Sequence, residues 1–203
     1  MSGKSGLDEI LAEIAHLSPA GYFLGLHIRF TSPLMTLQTF PQDWIEAYTA
    51  KGYALRDPVV AWGFGQEGPS RWSEIEIPDP FGILKEAASH GLRYGAVVPM
   101  GELRSRTIAS VARSDREFSD AEIAVISHHV ERLHKFTQPP ERLTEAQITA
   151  LRFIAAGDRH LAAAAKLNIS ESALKARLTA AREKLFARTT AEAIQRAKDY
   201  GLL

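Results

Sequence analysis

The chain has no cysteine. Disulfides, thiolate zinc sites and cysteine nucleophiles are thereby excluded, and stability has to come from ordinary packing. No apolar run approaches the ~20 residues that a membrane-crossing helix needs. Residues 1–20, with Asp8, Glu9 and Glu13 among them, lack a basic start followed by an apolar stretch. A soluble, cytoplasmic protein without membrane contact is expected. A Gly-x-Ser-x-Gly turn, a His-x3-His pair and a Gly-rich phosphate loop are missing as well. Their absence argues against an enzyme and leaves no expected cofactor or metal. His128, His129 and His134 lie on one helical stretch, but not at the three- or four-residue spacing that puts metal ligands on one face, so they read as surface or seam residues.

Net charge is lacking too, with 24 Lys/Arg against 24 Asp/Glu, yet the balance is uneven along the chain. Residues 139–203 carry 11 Lys/Arg and 7 Asp/Glu, whereas residues 1–138 carry 13 and 17. A small basic part on a larger acidic one suits a nucleic-acid module joined to a partner domain. At 203 residues two domains are expected. Pro139 and Pro140 mark the boundary, because proline ends the preceding helix and stiffens the connector. The expected division is residues 1–136, a linker over 137–142, and residues 143–203.

The first part mixes strand and helix patterns. Residues 22–30, 96–100 and 107–113 read as strands, and residues 6–16, 42–51, 57–65, 80–90 and 119–136 as helices, with Gly and Pro punctuating them. Interspersed without strict alternation, they predict an α+β fold, an antiparallel sheet with helices on both faces in an α-β-α sandwich. A small all-α helix-turn-helix domain comes after it. Thr144 and Gln147 form a capping box opening a helix that Gly157 closes. A second, compact helix carries Leu161, Ala164, Ala165 and Leu167, and Ser170 caps a third. On that third helix Leu174, Leu178, Ala181 and Leu185 share a core-facing stripe, so Ser172, Ala176, Thr179 and Glu183 point outward. Lys175 and Arg182 flank the outer strip on one side, Arg177 and Lys184 on the other. Cations on both flanks with small groups between them match a helix lying between two phosphate walls, and equally an ordinary solvated helix.

In the first part, Trp44 and Tyr48 lie four apart on a helix, followed by the pair Asp57 and Pro58 and then Trp72. The aromatic pair fits either a core or a pocket, and Asp57 before Pro58 is also a proper helix N-cap. Taken with Ser73, Gly91, Leu92, Arg93, Tyr94, Gly95 and Pro99, these residues resemble the acyl-homoserine-lactone-binding domain of LuxR-type regulators. Residues 141–203 resemble the DNA-binding domain of the same family through Leu143, Thr144, Gln147, Leu151, Gly157, Leu167–Glu171, Lys184, Leu185, Ala191–Ile194 and Gly201–Leu203. The resemblance spans nearly the whole chain.

It implies a ligand-responsive transcriptional regulator of quorum sensing that takes a small-molecule signal, an acyl-homoserine lactone or analogue, and binds double-stranded promoter DNA as a homodimer. Trp44 would donate to the lactone carbonyl and Asp57 accept from the acyl amide. Trp72 would cover the ring, Tyr48 line the acyl channel, Ile83 and Ala87 shape the wall, and Ser110 face the ligand from a strand, with Gly95 present for backbone geometry. Phe40 stands where many relatives carry a tyrosine. The DNA-facing set would be Thr144, Ser172, Lys175, Ala176, Arg177, Thr179, Arg182 and Lys184, although only Lys175 is kept from the usual run in that helix. The seam of Ile123, Ile126, Val130 and Leu133 packs on its own sheet or on a second subunit, and the resemblance favours the subunit. The divergent third helix motivates an alternative, an anti-activator acting by heterodimerisation without productive DNA binding.

Overall fold

The computed structural model describes residues 2–28, 32–138 and 143–203, which form two compact units, Met1–Thr137 and Gln138–Leu203. In the first unit the order is α1 (Ser2–Leu17), β1 (Gly21–Ile28), β2 (Met35–Gln38), α2 (Gln42–Ala50), α3 (Pro58–Gly65), β3 (Ser70–Arg71), α4 (Ile83–Ser89), β4 (Tyr94–Met100), β5 (Arg106–Arg113) and α5 (Asp120–Phe136). The strands make one antiparallel sheet in the order β2-β1-β5-β4-β3. The far end of the expected first strand, residues 29 and 30, lies outside the described residues. Strands β2 and β3 were not anticipated. Each is too short for a period-two pattern to show, and both are held as edges by the longer strands beside them.

Alternation along the central strands divides the interior in two. Tyr22, Leu24, Leu26, Ala96, Val98, Ala109 and Val111 point to one face, where they pack with Ile10 and Ile14 of α1 and with Ile123, Ile126, Val130 and Leu133 of α5. Val97, Ile108 and Ala112 point to the other, beneath Trp44, Val59, Ile83 and Ala87 from α2, α3 and α4. The assignment of Ile123, Ile126, Val130 and Leu133 to a subunit interface is therefore corrected. Ile126, Val130 and Leu133 are fully buried within their own unit, because the apolar stripe of α5 is needed to cover this face of the sheet. Ser119 and Glu122 cap that helix reciprocally, Ser119 Oγ accepting from the Glu122 amide at 3.2 Å and Glu122 Oε2 from the Ser119 amide at 2.8 Å.

The histidines of α5 divide between surface and interior. His128 is exposed, whereas His129 is buried and His134 is half-buried and stacked on His27 of β1 with centroids 4.3 Å apart. The local sequence carried no sign of this, since the partner lies over a hundred residues away.

The second unit is a bundle of α6 (Glu145–Ala155), α7 (His160–Lys166), α8 (Glu171–Lys184) and α9 (Thr190–Asp199) around a single core. Thr144 Oγ1 accepts from the Gln147 amide at 3.2 Å and Gln147 Oε1 from the Thr144 amide at 3.0 Å, the expected box. Gly157 closes the helix at φ 92°. Asn168, at φ 53°, makes the turn into α8, and Ser170 Oγ accepts from the Ala173 amide at 3.1 Å. Leu174, Leu178, Ala181 and Leu185 are buried along the expected stripe. On α7 the buried pair is Ala163 and Ala164, while Leu161 is 71% exposed and Ala165 is exposed.

Candidate functional site

On its second face the sheet does not meet its helices fully. A cavity of about 520 Å³ lies between β1, β2 and β5 on one side and α2, α3 and α4 on the other. Its described lining includes all eight residues singled out for a ligand: Phe40, Trp44, Tyr48, Asp57, Trp72, Ile83, Ala87 and Ser110. They come from separate elements. Trp44 and Tyr48 are one turn apart on α2, Asp57 opens α3, Trp72 follows β3, Ile83 and Ala87 are one turn apart on α4, and Ser110 stands on β5.

The polar end is built around Asp57. Its carboxylate caps α3, Oδ1 accepting from the Val59 amide at 2.8 Å, and Oδ2 accepts from the Tyr48 hydroxyl at 2.8 Å. The N-cap role and the pocket role thus belong to one side chain, with Pro58 at the first helical position. Burial pushes the Asp57 carboxyl above its ordinary value, opposed by those hydrogen bonds and by the Val60 amide. Burial and the neighbouring carboxylate hold the Tyr48 hydroxyl firmly protonated, so it acts as a donor to Asp57. These bonds do not exhaust a carboxylate, which has about four lone-pair sites, so Asp57 retains capacity for a further donor.

Trp44 is 5% exposed and sits among other rings, 5.4 Å from Tyr48, 6.3 Å from Tyr53 and 5.5 Å from His90. Its body is fixed, and the aromatic pair is core and lining at once. Trp72 is held by an unexpected contact, because a Cβ added at Gly95 would stand 2.1 Å from the indole ring. Gly95 is corrected from a residue of backbone geometry to one of contact: its φ is not in the left-handed region, and what it supplies is room.

Several lining residues were missed. Ile108 precedes Ser110 by two on β5 and shares its face, and Phe23 is the direct cross-strand partner of Ser110. Strand alternation starting from Ser110, a residue taken from the resemblance, would have found Ile108, and cross-strand pairing Phe23. Thr36 and Gln38 belong to the unanticipated β2. Ala54 and Leu55 come from a 3-10 turn over Tyr53–Leu55, where Leu55 is 87% exposed at the rim. Glu86 of α4 ties this turn down, accepting from the Tyr53 hydroxyl and from Lys51 Nζ at 2.7 Å each.

The cavity walls and the sheet beneath them fall within residues 21–137, which match the autoinducer binding domain family. The chain belongs to the LuxR-type quorum-sensing regulators. It is 27% identical to the transcriptional activator protein VanR of Vibrio anguillarum over 97% of this chain and 90% of that protein. It is 29% identical to the transcriptional activator protein RaiR of Rhizobium etli over 80% and 74%. Among solved structures, the crystal structure of Escherichia coli SdiA aligns over the whole chain and 92% of its own with a TM-score of 0.55 at 21% identity, a likeness of fold. With transcriptional activators as relatives, this LuxR-type regulator is not an enzyme. No described helix is long and apolar enough to cross a membrane, and no described cluster of three His, Asp or Glu could hold a metal.

In the second unit the residues expected to face DNA divide by what they already touch. Ser172, Lys175, Ala176 and Lys184 are exposed on α8, and Arg177, Thr179 and Arg182 are half-buried. Lys175 pairs with Glu171 at 2.7 Å, and Arg182 donates to Thr179 Oγ1 at 3.0 Å. Thr144 is exposed at the start of α6, its hydroxyl occupied by the capping bond.

Proposed function

We propose that the cavity of the first unit binds an acyl-homoserine lactone or a similarly shaped amphipathic amide, and that the second unit binds double-stranded promoter DNA through α8, in a cytoplasmic homodimer. The observation that carries the reading is the convergence of eight sequence-selected residues on one cavity with a polar end and a greasy end. Asp57 accepts from the ligand amide, since a buried carboxylate forms a stronger bond with an amide N–H than a neutral acceptor does. Trp44 donates to the headgroup carbonyl from a rigid apolar body. Phe40, Ile83 and Ala87 give the acyl chain a wall with no hydrogen-bonding demand. Signal binding completes the core of the first unit and so shifts the population of the DNA-binding state.

The test uses the full chain expressed with candidate signals and extracted with organic solvent, the extract being identified by mass spectrometry. An acyl-homoserine lactone or related amide should co-purify with the wild type, and Asp57→Ala should retain at least roughly tenfold less of it, the loss of about one charge-assisted hydrogen bond, while keeping the native circular dichroism spectrum. Equal retention by the two proteins would remove Asp57 from the site.

A second reading, an anti-activator that dimerises without productive DNA binding, draws on the engagement of Lys175 and Arg182 within the chain. Gel shifts with promoter fragments across a salt series separate the two, because real phosphate contacts give an affinity that falls steeply with salt.

A further inference from the structure

Away from the cavity, β1 carries a β-bulge. Gly25 pairs with Ile108 and Ile28 with Arg106, so two residues, Leu26 and His27, stand opposite Thr107 alone. The bulge is a built feature: His27 has a φ of 50°, outside the strand region, and is fully buried. Bulges re-aim side chains. Here the imidazole is turned towards the last turn of α5.

His27 is bonded on both sides. Its Nε2 lies 3.0 Å from the His134 carbonyl oxygen and 3.1 Å from Thr137 Oγ1, and its Nδ1 lies 2.8 Å from Ser105 Oγ. A carbonyl can only accept, so Nε2 carries the proton, and in the neutral ring Nδ1 accepts from Ser105. Thr137 Oγ1 in turn donates to the Leu133 carbonyl at 2.8 Å. The His134 ring is stacked on His27, and its Nδ1 lies 2.8 Å from Thr107 Oγ1, which also accepts from the His27 amide at 3.2 Å. Two stacked imidazoles thus join β1, β5 and the loop before it to the end of α5. That end is the junction itself, since the first unit closes at Thr137 and the second opens at Gln138.

We propose that the His27–His134 pair is a proton-operated clasp, closed while both rings are neutral, which on acidification lets the last turn of α5 leave the sheet. Two cations with ring centroids 4.3 Å apart in a water-poor site repel each other strongly, so protonation opens the contact. Burial holds the His134 ring below the ordinary histidine value, and the Lys135 cation adds to the effect. Several described charged groups nearby are engaged with other partners. Lys135 pairs with Glu131, Arg104 with Glu102, and the Arg106 guanidinium donates to the carbonyls of Gly63, Gly101 and Gln66. A base whose value is lowered by folding binds its proton more readily in the unfolded chain. Stability from His134 is therefore present above the ordinary histidine value and is lost as pH falls through it.

The experiment is amide exchange on the full-length protein at about pH 7.5 and about pH 5.5, either side of the ordinary histidine value, corrected for the intrinsic effect of pH. It compares wild type, His134→Gln and, on the exposed side of the same helix, His128→Gln. In wild type and His128→Gln, protection over residues 133–137 should drop at least roughly tenfold at the lower pH while β4 and β5 keep theirs. In His134→Gln that ratio should shrink to less than about threefold. Equal ratios in all three proteins, or no drop in wild type, would overturn the proposal. If His134→Gln fails to fold, the imidazole C–H resonances of wild type decide. Titration of the two stacked rings in step with the loss of protection supports the clasp, and titration of both with the α5 end still protected refutes it.

Discussion

The two units of this regulator solve the packing problem in opposite ways. The second closes four short helices on one core, with Leu151, Leu174, Ala181 and Leu185 fully buried at its centre. The first fills one face of its sheet and on the other encloses a cavity of about 520 Å³ under α2, α3 and α4. Interiors are ordinarily close-packed, and lining atoms that face a void forgo their dispersion contacts. A domain that keeps such a space has its stability open to whatever fills it, whereas one without it does not.

The largest effect that sharpens this contrast is a core truncation in the closed unit. Leu174→Ala should cost about 3 kcal/mol there, as large-to-small changes in packed cores do. Exchange-resolved denaturation of the full chain should show the loss in residues 143–203 and none in the first unit; a matching loss in the first unit would mean the two fold as one. Next comes the hollow unit. Octanoyl-homoserine lactone at about a hundred times its Kd should raise the stability of the first unit by ~2.7 kcal/mol and leave the second unchanged. No shift with this probe or with longer and shorter acyl homologues would break the comparison at its root. The smallest effect separates the surfaces. Lys184→Ala should lower the log–log salt dependence of promoter affinity by about 0.9 if that cation meets a phosphate, with signal retention unaltered.

Much of this was legible in the chain, and for identifiable reasons. Ile83, Ala87 and Ser110 came from the family resemblance, whereas helical spacing placed Trp44 with Tyr48 and the Asp57–Pro58 pair announced a helix start. The last two are local rules with a short period. What escaped depends on contacts far apart in sequence. The depth of the pocket beneath Trp72 requires knowing that Gly95 lies behind the ring. The burial of His27 requires a bulge and the end of a helix more than a hundred residues on. The seam on α5 was recognised from its period, but a period cannot say which surface it meets. Here the sheet of the same chain takes it.

The bare backbone at Gly95 has a consequence for how the chamber is sized. The indole of Trp72 rests directly on it, one side against the strand and the other towards the cavity. A single methyl at that position would push the ring forwards, and the protein would begin to plug its own binding site. Capacity for a guest is thus set from behind the wall, by an atom the guest never meets.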